Sequence, residues 1–350
     1  MLTPLVAVVV LAALTPDEQV TLGVSYAERG DAKKAIPVLE KALATGALSP
    51  ESAFKAEVGL GLALLSDERA KDAIAPLERA VTKKSTDERA WLLLGMAHDA
   101  SGDTPSSVKV YERGAKALPS SAALAHELGM TLLEAGEIPS AVTSLERAAS
   151  LKPDDADVLS DLSHALVRAG RHADAKKHSA RAIARAPENA LAHFTLGDAE
   201  AALGDKKAAV AAYRQATSLD PLFVPAWFHL GLVLADSGDH AAAARAFTRV
   251  LKIEGGNARA RALLGVSLGA LGDDEKARPL LEEAVRTDPG FTKGHEALLV
   301  IAEKRGDPAA ALVHAEAIKK ARPDDAAAKT KVDALKAAVK AAGKPAPKAR

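Results

Sequence analysis

Residues 88–121 read ERAWLLLGMAHDASGDTPSSVKVYERGAKALPSS. Gly102 divides this stretch into two halves, and Pro119 stands near its end. Glycine readily supplies the left-handed conformation that ends a helix, and proline cannot continue one. The stretch therefore predicts two antiparallel helices joined by a short turn, followed by a break before the next helix begins.

The pattern of this stretch recurs along the chain with a period of 34 residues. The eighth position of the second and later repeats holds Gly61, Gly95, Gly129, Ser163, Gly197, Gly231, Gly265 and Leu299. The twentieth position holds Ala73, Ser107, Ala141, Ala175, Ala209, Ala243, Ala277 and Ala311. Small residues at these positions let two helices approach closely, because a larger side chain would hold them apart. The period therefore indicates helical hairpins that stack on one another.

Nine repeats account for residues 16–325, with starts at positions 16, 54, 88, 122, 156, 190, 224, 258 and 292. Four inserted residues around 46–50 separate the first two repeats. Residues 326–342 are predicted to form a capping helix, because Val332, Leu335 and Val339 fall on one helical stripe and a repeat array needs a polar cap. Residues 343–350 are predicted to be a disordered basic tail, with contact to nucleic acid or an acidic surface as the alternative.

The Trp-Leu-Gly patterns at 91–95 and 227–231 resemble the opening of the tetratricopeptide repeat, and the resemblance covers roughly residues 16–325. It implies an all-α fold, a right-handed superhelical solenoid of nine antiparallel helix-turn-helix repeats, with the C-terminal capping helix after them. It also implies that the first helix of each repeat lines a concave groove. Four residues depart from the family pattern: Ser163, Leu299, Ser179 and Ala315. We expect the two repeats that contain them to be more loosely packed.

The groove positions of the family, carried over to this sequence, define a candidate binding surface. The residues expected to line it are Leu92, Met96, His126, Met130, Ser160, Asp161, His164, Phe194, Asp198, Phe228, His229 and Leu232. Their character changes from aliphatic and methionine in the early repeats to polar and aromatic in the middle ones. Such a groove suits an amphipathic helix or an extended segment that carries a basic residue. The alternative is that the apolar members pack against neighbouring helices.

No repeat has the Lys and Asn pair at the fifth and ninth positions that chaperone-binding members of the family use as a carboxylate clamp. Capture of a chaperone C-terminus is therefore not expected.

The sequence contains no motif that predicts catalysis. Walker loops, dinucleotide fingerprints, Gly-x-Ser-x-Gly elbows and paired zinc-type histidines are all missing. The chain has no cysteine, which excludes disulfides, thiolate zinc sites and cysteine nucleophiles. His126, Asp161, His164 and Asp198 could together bind a metal, but scattered groove polar residues are far commoner, so we predict neither a metal nor a cofactor. Since the repeats, the cap and the N-terminal run account for all residues, an enzyme would need a site made of groove residues alone.

The N-terminal segment 1–14 contains an unbroken apolar run from Leu5 to Leu14. This run is short for a membrane span and has the length of a signal-peptide core, so we expect export to the periplasm or cell envelope and no transmembrane helix in the mature chain. Against that expectation, no Lys or Arg precedes the run. A packed N-terminal extension or a misassigned start codon, with a cytoplasmic protein, is the competing interpretation.

Formal charge is zero, but seven basic residues and one acidic residue lie in 329–350, which leaves the rest net acidic. We therefore expect a protein or peptide partner and no nucleic acid. The function predicted is a non-enzymatic scaffold, in bacterial envelope assembly. The first alternative is a cytoplasmic regulator or secretion chaperone. A targeting subunit associated with an enzyme ranks below it.

Overall fold

The computed structural model describes residues 14–342. The predicted basic tail lies outside these residues, as does all but the last residue of the predicted signal segment. Within the described part of the chain, no helix is both long and apolar enough to span a membrane.

Residues 14–342 form nineteen α-helices and no strand. In chain order the helices are α1 (Pro16–Glu28), α2 (Ala32–Ala44), α3 (Pro50–Ser66), α4 (Ala70–Lys83), α5 (Glu88–Ala100), α6 (Thr104–Ala117), α7 (Ala122–Glu134), α8 (Ile138–Leu151), α9 (Ala156–Arg168), α10 (His172–Arg185), α11 (Ala190–Ala202), α12 (Lys206–Leu219), α13 (Val224–Asp236), α14 (His240–Ile253), α15 (Ala258–Ala270), α16 (Asp274–Thr287), α17 (Thr292–Lys304), α18 (Pro308–Ala321) and α19 (Ala326–Ala342). Nine helical hairpins are thus followed by one further helix. The all-α repeat fold predicted from the period is confirmed.

The described residues divide into an N-terminal unit that ends at Pro187 and a C-terminal unit that begins at Glu188. Inside each unit the two helices of a hairpin pack against each other, and the second helix also packs against the first helix of the next hairpin. Most first helices of successive hairpins touch as well. Each unit is therefore a two-layered stack, with first helices in one layer and second helices in the other.

The eighth position of a repeat is the place where the two helices of a hairpin come closest. A Cβ atom added to Gly95 would lie 2.2 Å from the ring of Tyr111, and one added to Gly197 would lie 2.5 Å from the ring of Tyr213. Both rings are buried. The glycine thus leaves the space that the bulky side chain of the second helix fills.

The two repeats expected to be looser each carry two changes at this contact. Ser163 replaces the glycine and Ser179 the bulky residue; both are fully buried, and their hydroxyl groups hydrogen-bond to each other. In the last repeat Leu299 stands at the glycine position and Ala315 faces it with a small side chain; both belong to the same apolar cluster. In the last repeat the volume is therefore redistributed between the two helices. The two serines together fill less volume than a glycine and a bulky residue, and a hydrogen bond joins them instead.

The first helix of the second repeat begins at Pro50, four residues before the start that we placed at position 54. The side chain of Ser49 accepts a hydrogen bond of 3.1 Å from the backbone N–H of Ser52, and Pro50 occupies the first turn. Both features favour helix initiation. The inserted residues therefore lengthen α3 at its start.

Helix α19 covers the end of the last hairpin. Val332 and Leu335 are buried in a cluster with Ala311 and Ala315, whereas most of the remaining α19 side chains are exposed. The helix has one apolar stripe and one polar face, as a cap requires.

Ala141→Leu should lower the free energy of unfolding by about 1–3 kcal/mol, because Ala141 is fully buried against the neighbouring helix and the core cannot take the added volume. Ala180→Leu is the matched control, since Ala180 is exposed on a helix of the same unit. Urea unfolding of both variants measures the difference. Equal stability of the two would contradict the packing described.

Two histidines face each other inside the last hairpin. The Nδ1 atoms of His295 and His314 lie 3.1 Å apart, and Nε2 of His295 lies 3.2 Å from the carbonyl oxygen of Pro289. A carbonyl only accepts, so Nε2 of His295 carries the proton and its Nδ1 accepts from His314. Burial lowers the pKa of His314, and the neighbouring His295 lowers it further, against an opposing effect of Glu282.

Acid should therefore destabilise this hairpin. The unfolded His314 takes up a proton near pH 6.5, whereas the folded one resists it, so its contribution is complete above about pH 6.5 and is lost as the pH falls below that value. Urea unfolding at about pH 7.5 and about pH 5.5 should show a smaller pH effect for His314→Gln than for the wild type. Subtracting the pH effect on the variant's unfolding free energy from that on the wild type's removes the contribution of the other histidines. Equal pH effects on the two proteins would contradict the assignment.

Candidate partner-binding surfaces

The twelve predicted groove residues lie on first helices of both units. Those of the N-terminal unit are Leu92, Met96, His126, Met130, Ser160, Asp161 and His164, on α5, α7 and α9. Those of the C-terminal unit are Phe194, Asp198, Phe228, His229 and Leu232, on α11 and α13. We call the first-helix faces of the two units the N-terminal and C-terminal inner surfaces.

Methionine and leucine side chains give the N-terminal inner surface its apolar part. Met96 is 50% exposed, which is unusual for a large apolar side chain. Leu92 and Met130 are half-buried, and Leu92 packs against the core of its unit. Met96 is therefore the apolar side chain of this surface that has most area left to bury.

His126 and Asp161 join two neighbouring first helices. Nε2 of His126 lies 2.7 Å from a carboxylate oxygen of Asp161, and both side chains are mostly buried. The hydrogen bond to Asp161 raises the pKa of His126, and the nearby charges of Glu127 and Asp155 add to this effect. The acidic group predicted at position 161 is thus already engaged within the chain.

Glu127 makes this surface acidic, although the sequence reasoning did not select it. Burial raises the pKa of its carboxyl group, and the neighbouring carboxylates of Asp99, Asp161 and Glu134 raise it further, against an opposing effect of His126. Both Glu127 and Asp99 are half-buried. Asp99 holds the twelfth position of its repeat, a groove position in the family, and Glu127 holds the sixth, the position at which Asp161 and His229 were selected. The register therefore contained a signal for both.

Two further members of the predicted set lie on α9. Ser160 is buried, and its hydroxyl has no hydrogen-bond partner among the described residues. His164, four residues along the helix, is half-buried. Ser160 therefore packs in the core, where a partner does not reach it.

Phe194, expected in the groove, belongs to an aromatic cluster in the core of the C-terminal unit. Its side chain is only 5% exposed. Its ring centroid lies 5.0 Å from that of Phe223, 5.2 Å from His229 and 6.0 Å from Tyr213. Phe194 therefore follows the alternative interpretation of the apolar groove positions: it packs against neighbouring helices.

Asp198 is the centre of a hydrogen-bonded network. One of its carboxylate oxygens accepts from the hydroxyl group of Tyr213 and from Nδ1 of His229, each at 2.6 Å. Burial and then the charge of Asp198 raise the pKa of Tyr213, so the phenol keeps its proton and donates it. The network links α11, α12 and α13, and the carboxylate of Asp198 is therefore already hydrogen-bonded within the chain.

The accessible part of the C-terminal inner surface lies further along the chain than predicted. The guanidinium group of Arg259 sits 5.1 Å from the centroid of the Phe228 ring, whose edge packs on Phe247. Leu232 lines a cleft of about 460 Å³ together with Val266, Lys293, Glu296 and Val300. Val300 is 49% exposed. The open apolar area thus runs from α13 to α17.

The structure brings no metal site together. In residues 14–342 no group of three or more His, Asp or Glu side chains is arranged as metal ligands. Asp161 is occupied by His126, and Asp198 by Tyr213 and His229.

Stacked helical hairpins with a Gly-to-aromatic contact define a helical-repeat protein. Two family models, both described as tetratricopeptide repeat, match the sequence, one at residues 20–88, 160–222 and 200–258 and the other at 132–178 and 234–299. Together they match well over half of the chain. The chain belongs to the tetratricopeptide repeat family.

Solved structures with the same fold include a chain of the APC/C hetero-tetramer Cut9–Hcn1, with a TM-score of 0.54 and 15% identity over 89% of this chain and 74% of that one. PilW, a type IV pilus biogenesis factor, has a TM-score of 0.54 and 20% identity over 60% and 98% of the two chains. Pseudomonas aeruginosa PilF has a TM-score of 0.53 and 18% identity over 60% and 95%. At these identities the likeness concerns the fold. No curated protein matches the sequence.

Asp198→Ala should cost about 1–3 kcal/mol of unfolding free energy, because Tyr213 and His229 lose the acceptor of their hydrogen bonds. Asp236→Ala is the control: Asp236 forms an exposed ion pair with Lys206, so its loss should cost under about 1 kcal/mol. Urea unfolding measures both. A double-mutant cycle of Asp198→Ala with Tyr213→Phe should show that the two substitutions are coupled. Additive effects of the two on the unfolding free energy would contradict the network.

Proposed function

We propose that this protein is a non-enzymatic scaffold that binds a protein segment on its N-terminal inner surface. The segment combines apolar side chains with a Lys or Arg. The observation that carries the proposal is the half-exposed Met96 on the same helix layer as the half-buried carboxyl groups of Asp99 and Glu127.

Apolar contact supplies the first part of the affinity. Burying the exposed part of Met96 is favourable at about 25 cal/mol per Å² of apolar area. Methionine is unbranched and flexible, so it adapts to partner side chains of different shape. Leu92 and Met130 lie in the same layer and are half-buried, so they add apolar area for the segment.

Charge supplies the second part and favours a basic partner. The raised pKa of Glu127 means that its ionised form is disfavoured where it lies. A partner ammonium or guanidinium group placed beside it would stabilise that ionised form and gain a charge-assisted hydrogen bond. Asp161 contributes less, since His126 already occupies it.

Export and a role in bacterial envelope assembly form the finer part of the proposal. Its support is the apolar run at residues 5–14. PilW, which shares the fold, is named a pilus biogenesis factor, and that name describes PilW alone. A cytoplasmic regulator or secretion chaperone would instead keep Met1 or Leu2 at the N-terminus, which N-terminal sequencing of fractionated protein distinguishes.

Photo-crosslinking from position 96 tests the binding surface. With p-benzoylphenylalanine in place of Met96, we expect discrete crosslinked products in cells. The same probe in place of Lys109, which is exposed on the second helix α6, should not give these products. Asp99→Asn with Glu127→Gln keeps the shapes and removes the charges, so the yield should fall by about tenfold.

The matched control is Glu40→Gln with Glu112→Gln, two exposed carboxylates on second helices of the same unit. Its crosslinks should equal those of the parent. If Asp99→Asn with Glu127→Gln left the products unchanged while the protein kept its helical circular dichroism, the inner surface would not be the binding site.

A further inference from the structure

The second helices α12 and α14 of the C-terminal unit differ in charge from all other second helices of the nine hairpins. They contain no Asp or Glu, and their basic residues are Lys206, Lys207, Arg214, Arg245, Arg249 and Lys252. Each of the other seven second helices carries at least one carboxylate. A chain with zero formal charge therefore has a strongly basic outer layer at this place.

The basic side chains of α14 form one stripe. Arg245, Arg249 and Lys252 are spaced by four and three residues, which places them on the same face of the helix. Arg245 and Lys252 are exposed, and none of the three forms an ion pair within residues 14–342. Arg249 donates a hydrogen bond of 3.3 Å to the carbonyl oxygen of Pro221. The positive charge of the stripe is thus not neutralised by an ion pair within the described part of the chain.

An apolar cleft lies beside this stripe, between α14 and α16. Its volume is about 1110 Å³, and Trp227, Leu264, Leu268 and Leu280 contribute its apolar lining while remaining partly exposed. We call it the outer cleft.

The opposite rim of the outer cleft carries one acid, Glu275, and Lys276, which pairs with Asp273 at 2.7 Å. A smaller cleft on the other side of α14 shares Trp227 and Arg245 and has Arg214 at its edge. Basic groups therefore outnumber acidic ones around Trp227 on both sides of α14.

We propose that the outer cleft binds an acidic amphipathic helix of a partner protein. Apolar side chains of that helix cover Trp227 and the three leucines, and carboxylates at i, i+4 and i+7 face Arg245, Arg249 and Lys252. An apolar floor beside unpaired cations selects a ligand with both properties. Four turns of helix, roughly 20 Å, match the length of α14.

Segments 1–13 and 343–350 do not have the charge that this ligand requires. Residues 1–13 and 343–350 contain no Asp or Glu. The required charge is also opposite to that of the segment proposed for the N-terminal inner surface, so the outer cleft takes a different partner.

Fluorescence anisotropy with a labelled fifteen-residue probe peptide tests the proposal. The probe has leucines at i, i+3, i+4 and i+7 and glutamates on the flanking positions. We expect it to bind the full-length protein, and Arg245→Glu with Lys252→Glu to weaken binding at least about tenfold. Lys109→Glu with Lys116→Glu is the matched control, because these exposed lysines of the outer helix α6 have the same seven-residue spacing. The control should bind as the wild type does.

Two further probes separate the components. Replacing the leucines by serine, with the glutamates kept, should weaken binding at least about tenfold, and replacing the glutamates by lysine should abolish it. Met96→Ala on the N-terminal inner surface should leave the affinity unchanged, so the result does not depend on the function proposed above. No binding of the acidic probe, or equal binding of the serine peptide or of anionic vesicles, would overturn the proposal. A dimer of the wild type in light scattering that becomes a monomer in the variant Arg245→Glu with Lys252→Glu would also overturn it, since a second copy of the chain would then occupy the outer cleft.

Discussion

The contact between a glycine of the first helix and a bulky residue of the second determines the geometry of seven of the nine hairpins. Gly95 meets Tyr111 and Gly231 meets Phe247 at distances that leave no room for a Cβ atom. Because this contact sets the separation of the two helices, it also sets where their other faces lie. In the last repeat Leu299 replaces the glycine and the facing residue, Ala315, is small, so the total volume is kept.

The same packing decides which polar groups a partner can reach. Tyr213 fills the space left by Gly197, and in that position its hydroxyl group donates to Asp198. Asp198 and Asp161 are consequently bound inside the chain, although both look like free acids in the sequence. What stays open is Met96 with the carboxyl groups around Glu127 in one unit, and Leu232 with Val300 in the other.

The zero net charge of the chain hides two surfaces of opposite character. Carboxylates gather on the inner layer of the N-terminal unit, where burial makes Glu127 harder to ionise. Unpaired cations gather on the outer layer of the C-terminal unit, beside the apolar lining around Trp227. In a repeat fold the residues that hold the stack are confined to a few positions, so the exposed positions of each layer are free to carry different partner preferences.

The sequence alone determined the class of fold and most of the helix limits. Turn glycines, capping residues such as Thr15 with its partner Glu18, and the 34-residue period act over short distances, so their effect is readable along the chain. The start of the second repeat is the exception: the period places it at position 54, whereas the helix begins at Pro50, because the side chain of Ser49 caps it there. Only the tertiary structure decided which groove residues are accessible. Phe194 is buried by Phe223 and Tyr213, Asp198 is hydrogen-bonded to His229, and the pKa of Glu127 is raised by burial and by Asp99. In each case the contacts join residues that are distant in the sequence.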